Sequence, residues 1–238
     1  EETARHPIAM DLRRFFRSDF FTDEQIKRNR QGYYGNITWA DRQLGRIIKA
    51  LKDNGLYDNT VIIFTSDHGA MQGKFSMEHK RSLYEGSVTI PMVVRGPGFA
   101  KGKTVNTPVS AYDQLAAVFK ATGVEYPDFM HGTPLQEISN DSKDHVVFAE
   151  HIYNGTSSPG FMIRKNNWKY IYYNNAPNQL FDLEADPHEL KNVIEQEKEV
   201  AKQMHSELLK ICDPQEVDKR ALAFLKDYER KLAAGDFG

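Results

Sequence analysis

Cysteine is nearly missing from this chain: Cys212 is the one thiol in 238 residues, so no internal disulfide can staple it. Stability must come from a packed core. A chain of this length with 40% hydrophobic residues can build one sizeable core, or a larger and a smaller domain. The scarcity of thiols leaves the compartment open, since large secreted enzymes need no disulfides. An excess of charge is missing too, with 31 basic residues against 33 acidic ones and a net charge of −2. No nucleic-acid or membrane partner is therefore expected. No apolar run approaches the roughly 18 residues needed to span a bilayer. Internal repeats and low-complexity tracts are absent. The opening Glu1-Glu2-Thr3-Ala4-Arg5-His6-Pro7 is neither an initiator methionine nor a signal peptide. The chain is expected to start mid-protein, with any targeting signal upstream.

What is present reads as α/β. Thr22 is a helix N-cap, with Asp23 and Glu24 in the first turn. Tyr33, Ile37, Ala40, Leu44, Ile47, Ile48 and Leu51 recur at helical spacing up to the Asn54-Gly55 stop. The apolar run Val61-Ile62-Ile63-Phe64 then predicts a strand buried on both faces. A second buried strand is predicted over Ile90–Val94, an amphipathic helix over Ser110–Thr122 and a short strand over Val146–Ala149. The helix-to-strand order is that of a mostly parallel sheet flanked by helices. Beyond it, Phe161–Arg164, Trp168–Tyr173 and Gln179–Asp182 alternate with turn residues, Asn166-Asn167 among them. They predict a small antiparallel sheet. Helices are expected over about Glu189–Ile211 and Pro214–Leu232. The boundary falls near 150, giving an α/β core over 1–150 and a small C-terminal subdomain with a helical tail over 151–238.

Chemistry is concentrated where the first strand ends, at Thr65-Ser66-Asp67-His68-Gly69. Ligands of open α/β sheets bind at the carboxyl ends of strands. Asp67 and His68 can reach one metal ion where the backbone turns. They cannot complete its shell, because a hard divalent cation takes six or more oxygens and zinc three or four nitrogen or sulfur ligands. Glu78, His79 and Glu85 are the neighbouring candidates. Lys80 can hold a sulfate or phosphate oxygen as a point charge. Asp67 can equally be a turn cap, and Lys80 a solvated loop lysine. His131, His145 and His151 stand alone; Glu150-His151 has a better claim because it follows a strand. Cys212 is a packing residue on a late helix.

Ser66-Asp67-His68-Gly69, then Lys80 with Ser82-Leu83-Tyr84-Glu85-Gly86 and Pro91, resemble the second half of the type I sulfatases, members of the alkaline-phosphatase-like superfamily. Tyr34, Asp41, Leu44-Gly45 and Leu56-Tyr57-Asp58-Asn59-Thr60 resemble the approach to that family's metal strand. Lys169-Tyr170-Ile171 and Leu180-Phe181-Asp182-Leu183-Glu184-Ala185-Asp186-Pro187-His188-Glu189 resemble its C-terminal signature. The resemblance implies hydrolysis of sulfate esters or sulfamates around one divalent ion, usually Ca²⁺, though Mn²⁺ and Zn²⁺ also suit an imidazole ligand. It makes Asp67 and His68 metal ligands and Lys80 the catalytic, sulfate-binding lysine, with His79 beside it as a second substrate contact. It implies a sulfated carbohydrate or aryl sulfate as substrate, and a secreted, periplasmic or lysosomal location.

The family's nucleophile is a formylglycine made from a Cys/Ser-x-Pro/Ala-x-Arg motif, and this sequence holds no such motif. Nor are the family's tandem N-terminal aspartates recognisable. The expectation is a chain carrying two metal ligands and a lysine, with the nucleophile in an N-terminal half of the same protein, and inert alone. A phosphoester or phosphonate hydrolase on the same fold, and a non-catalytic interaction module, are the alternatives.

Overall fold

The computed structural model describes residues 2–236. In chain order its regular elements are α1 (Pro7–Phe16), α2 (Asp23–Asp53), β1 (Ile62–Thr65), α3 (Glu85–Val88), β2 (Met92–Arg95), α4 (Ala111–Thr122), β3 (Val146–His151), β4 (Gly160–Lys165), β5 (Trp168–Tyr173), β6 (Gln179–Asp182), α5 (Lys198–Ile211) and α6 (Pro214–Ala234). They fall into two compact units. One comprises Phe16–Lys80 and Glu85–His145; the other comprises the residues up to Phe15, Arg81–Tyr84 and the stretch from Val146 onward. The second unit takes up the chain again at Val146. The strand expected at the end of the first segment is hydrogen-bonded into the second sheet, through Val147↔Arg164 and Ala149↔Met162.

In the first unit, α2 starts where Thr22 and Gln25 cap each other, with bonds of 2.8 and 3.3 Å. Its apolar stripe is only partly covered: Ala40, Leu44, Ile48 and Leu51 are half-buried, while Ile37 is 49% exposed and Ile47 57%. β1 and β2 pair antiparallel, Ile63 opposite Val94. This corrects the parallel expectation. A parallel return needs a crossover, usually helical, and the segment between these strands holds one four-residue helix, α3. The expected burial on both faces is also corrected: Ile62, Ile63 and Thr65 are half-buried and Phe64 is 36% exposed.

Asp113 is the polar anchor of this unit. It closes the capping box of α4 by accepting the Ser110 N–H at 2.7 Å, and it accepts the Thr133 N–H at 2.8 Å. The His145 ring lies 3.0 Å from the same carboxylate, so His145 is structural. Burial alone would push the Asp113 carboxyl up, but these hydrogen bonds outweigh it and hold the group below the usual carboxylate range. A lowered folded value gives stability that is present above the unfolded pKa and lost as pH falls through the folded one. Asp113→Asn should therefore flatten the acid limb of the melting profile below about pH 4 and cost about 1–3 kcal/mol at neutral pH. Thermal melts of both proteins from pH 3 to 7 check this.

The second unit is the antiparallel sheet β3-β4-β5-β6 with a core on each face. Alternation decides which residue goes where. Phe161, Ile163, Tyr170 and Leu180 point to one face and bury Met204 and Leu208 of α5, with Cys212 packed at the edge. Cys212 is thus a core-edge thiol, its pKa raised by burial. The other face carries a buried polar network. Lys169 and Glu189 are paired at 2.7 Å, both fully inaccessible. The Tyr84 hydroxyl donates to Gln179 Oε1 at 2.9 Å, and the Thr3 hydroxyl donates to the Glu189 carbonyl at 2.5 Å. Removing one charge of a buried pair strands the other, which costs about 3–5 kcal/mol. Lys169→Met should lose that much in denaturant unfolding, while the double replacement Lys169→Met/Glu189→Leu should recover most of it.

Two local differences from expectation have simple causes. The first tail helix begins at Lys198, not near Glu189, because Glu189 has a φ of +54°, which no α-helix accommodates. Helix α1 is not among the expected elements, although Pro7 at its first position and buried Ile8, Ala9 and Leu12 are its sequence signals.

Candidate active site

The site is built at the end of β1, inside the first unit. The Ser66 hydroxyl donates to Asp67 Oδ1 at 3.2 Å and to the His68 carbonyl at 3.0 Å. The His68 N–H donates to the same Oδ1 at 2.9 Å. That backbone bond is the main cause holding the Asp67 carboxyl below its ordinary range. Oδ1 is thereby occupied, and Oδ2 lies 3.2 Å from His68 Nε2.

The imidazole is oriented by its other nitrogen. His68 Nδ1 sits 2.8 Å from the Gly69 carbonyl, which can only accept, so Nδ1 carries the proton. Nε2 then presents a lone pair, and Lys80 Nζ donates to it at 2.6 Å. Two electron-pair donors, Asp67 Oδ2 and His68 Nε2, lie 3.2 Å apart at the solvent-exposed strand end, with the Lys80 ammonium on Nε2. This is the donor arrangement a cation takes up, and a carbonyl fixing the imidazole tautomer is the usual support of a metal-binding histidine. One carboxylate and one imidazole do not complete a shell, however. Among the described residues no group of three or more His, Cys, Asp or Glu side chains comes together.

The backbone brings these groups into register through a close glycine contact. A Cβ on Gly69 would lie 2.2 Å from the Gly86 carbonyl oxygen, and Gly69 N–H donates to the Ser87 carbonyl at 2.8 Å. The neighbour is backbone and cannot swing aside. Gly69→Ala should cost about 1–3 kcal/mol by overpacking and turn the carbonyl that orients His68. A lowered melting temperature in this chain, with weakened metal retention in the full-length protein, checks this.

From Gly69 the chain folds back to Lys80 in a tight, strained loop. Met71 N–H donates to the His79 carbonyl at 2.7 Å and Gly73 N–H to the Met77 carbonyl at 2.8 Å. Arg30 of α2 donates to the Gln72 carbonyl at 2.8 Å. Gln72, Phe75, Ser76 and His79 all adopt positive φ, between +50° and +64°. Such non-glycine strain costs of order 1–3 kcal/mol per residue and persists where surrounding structure fixes it, commonly at functional sites. Burying Met71, Phe75 and Met77 fixes it here. Nothing in residue type announces this strain, which is why the sequence did not show it.

The other candidates are placed elsewhere. His79 lays its ring on Phe16, with centroids 4.8 Å apart, and makes no bond to Asp67, His68 or Lys80. Glu78 is only 5% exposed, with Oε1 unpartnered, and burial raises its pKa against the pull of His79 and Arg30. Glu85 accepts from the Thr89 hydroxyl at 2.5 Å at the start of α3. In the second unit, burial and the nearby Arg81 lower the pKa of His151.

A strand-end carboxylate, an imidazole and a lysine thus stand together on an α/β frame. Comparisons with known proteins place that frame in a family. A family model described as Sulfatase matches residues 7–124, and one described as N-sulphoglucosamine sulphohydrolase, C-terminal, matches residues 73–214. The chain belongs to the sulfatase family. It is 34% identical over 207 residues to arylsulfatase K of Xenopus laevis, covering 81% of this chain and 39% of that protein. It is 35% identical over 178 residues to choline-sulfatase of Rhizobium meliloti (strain 1021), covering 73% of this chain and 35% of that protein. The crystal structure of the phosphonate monoester hydrolase of Agrobacterium radiobacter superposes with a TM-score of 0.70 at 31% identity, over 80% of this chain and 42% of that one. The chain thus spans about two fifths of the length of these proteins.

Proposed function

We propose that this chain is the C-terminal part of a metal-dependent sulfatase and supplies two metal ligands, Asp67 and His68, and the sulfate-binding Lys80. The observation that carries this is the convergence of Asp67 Oδ2, His68 Nε2 and Lys80 Nζ, with neighbouring separations of 3.2 and 2.6 Å. A divalent ion bound there, Ca²⁺ by the family resemblance, supplies Lewis-acid stabilisation of the oxygens of a sulfate ester. Asp67 contributes a carboxylate held ionised by the His68 N–H, and His68 contributes the lone pair that Gly69 aims. Lys80, whose ammonium now donates to His68 Nε2, would hold a sulfate oxygen by a charge-assisted hydrogen bond in place of that contact. By the family resemblance, a formylglycine nucleophile and the remaining metal ligands would come from an N-terminal half of the same protein. By itself the chain is expected to be inactive. Sulfated carbohydrates or aryl sulfates are the proposed substrates, and a secreted, periplasmic or lysosomal location goes with them. Among the described residues no helix is long and apolar enough to cross a membrane.

A second reading, phosphonate or phosphate ester hydrolysis, is favoured by the likeness to the phosphonate monoester hydrolase. Tetrahedral sulfate and phosphate demand the same ligands from this chain. The full-length protein decides between them. Release of p-nitrophenol from its sulfate ester, abolished by a chelator and restored by Ca²⁺, supports the sulfatase. A larger kcat/KM on the phenylphosphonate ester overturns it.

A further inference from the structure

The second unit carries a groove of about 540 Å³ between α6 and the end of β5, within the span of roughly 300–1,000 Å³ typical of ligand sites. Its lining is polar and mixed rather than apolar. Tyr172 supplies one ring; Asn174, Asn175 and Gln215 supply amides; Lys219 and Lys226 supply cations. Asp218 is a strut rather than a charge on offer. It is 8% exposed, accepts Asn174 Nδ2 at 2.8 Å, and receives the Tyr153 hydroxyl. The Asn174 amide is therefore fixed, with Nδ2 also donating to the Pro214 carbonyl at 3.2 Å, while its Oδ1 is left without a donor.

On α6, Lys219 and Lys226 are seven residues apart, two helical turns or about 10 Å on one face. Lys219 keeps only a 3.5 Å pairing with exposed Glu216, and Lys226 makes no ion pair among the described residues. Leu222 and Ala223 lie between them as the apolar floor.

We infer that this groove binds an acidic oligosaccharide, with its anionic substituents on Lys219 and Lys226 and its hydroxyls on the exposed amides of Asn175 and Gln215, while the fixed Asn174 shapes the wall. A primary amide matches a hydroxyl, which both donates and accepts. One aromatic ring with an apolar floor suits the carbon face of a sugar ring. Two cations two turns apart suit charges that recur along a chain. Single-stranded nucleic acid is disfavoured, since it calls for a run of stacking rings along a continuous basic groove. The site is independent of the sulfatase reading: binding here can fail while hydrolysis stands, and the reverse.

The test is equilibrium binding of fluorescein-labelled dextran sulfate to this chain, with neutral dextran and a dT oligonucleotide as comparators. Lys219→Gln/Lys226→Gln should weaken binding about tenfold or more, which is 1.4 kcal/mol or more. Ala223→Trp fills the groove at an exposed helix position without changing charge, and should weaken it similarly. Lys198→Gln/Lys202→Gln removes the same charge from α5 and should leave it within about twofold. Circular dichroism confirms folding of each variant. No binding by the unmodified chain, equal loss in the α5 control, full binding by Ala223→Trp, or tighter binding of the oligonucleotide would each overturn the assignment.

Discussion

Asp67→Ala in the full-length enzyme is expected to lower turnover by at least about a thousandfold, the worth of several kcal/mol of metal stabilisation. The fold should survive. The Asp67 side chain is 81% exposed and belongs to no packed core, so its removal takes away the bonds to Ser66 and the His68 N–H and the contact with the His68 ring, all at the surface. Metal content should fall with activity, which separates loss of a ligand from general damage. Asp67→Asn is the sharper variant. It keeps the oxygen that accepts the His68 N–H but loses the charge, so its activity should be restored in part by high metal concentration. Elemental analysis beside steady-state kinetics checks both. Full turnover with full metal in Asp67→Ala would remove this residue from the site.

Lys80→Ala should leave the metal in place and cost about 10²–10³-fold in kcat/KM, the scale of one lost donor to a developing oxyanion. Lys80 donates to His68 Nε2 here and makes no ion pair to a carboxylate among the described residues. The ammonium therefore has no structural pair to leave behind, and stability should change little. Lys80→Arg is not a conservative rescue, because a planar fork cannot replace a compact ammonium at the end of a tight loop. A variant with normal kinetics and normal metal would make Lys80 a surface lysine.

The sequence carried the site better than its surroundings. Asp67, His68 and Lys80 stood out as candidates because an apolar strand gives way abruptly to ligand chemistry and because their motifs resemble those of one family. Their convergence depends on Ser66, Gly69 and the Gly69–Gly86 contact, where the sequence offered only glycines within a motif. Adjacency to Lys80 makes His79 resemble a substrate contact; instead its positive φ turns the ring onto Phe16. The hairpin sheet was legible through its period of two and through Asn166, which tolerates the left-handed conformation at φ +53°. The antiparallel pairing of β1 with β2 was not, because a helix before a strand does not fix the direction of that strand's neighbour. The polar network around Lys169 and Glu189 was invisible for a related reason: a lysine in a strand reads as solvent-facing until its partner arrives twenty residues later.

A crystal structure of the full-length protein with Ca²⁺ and inorganic sulfate tests the central claim most directly. One ion should lie within about 2.3–2.6 Å of an Asp67 oxygen, with His68 Nε2 beside it in the coordination shell. Lys80 Nζ should have moved from His68 to a sulfate oxygen. An ion bound elsewhere, with Lys80 still on His68 and sulfate away from both, would contradict the account.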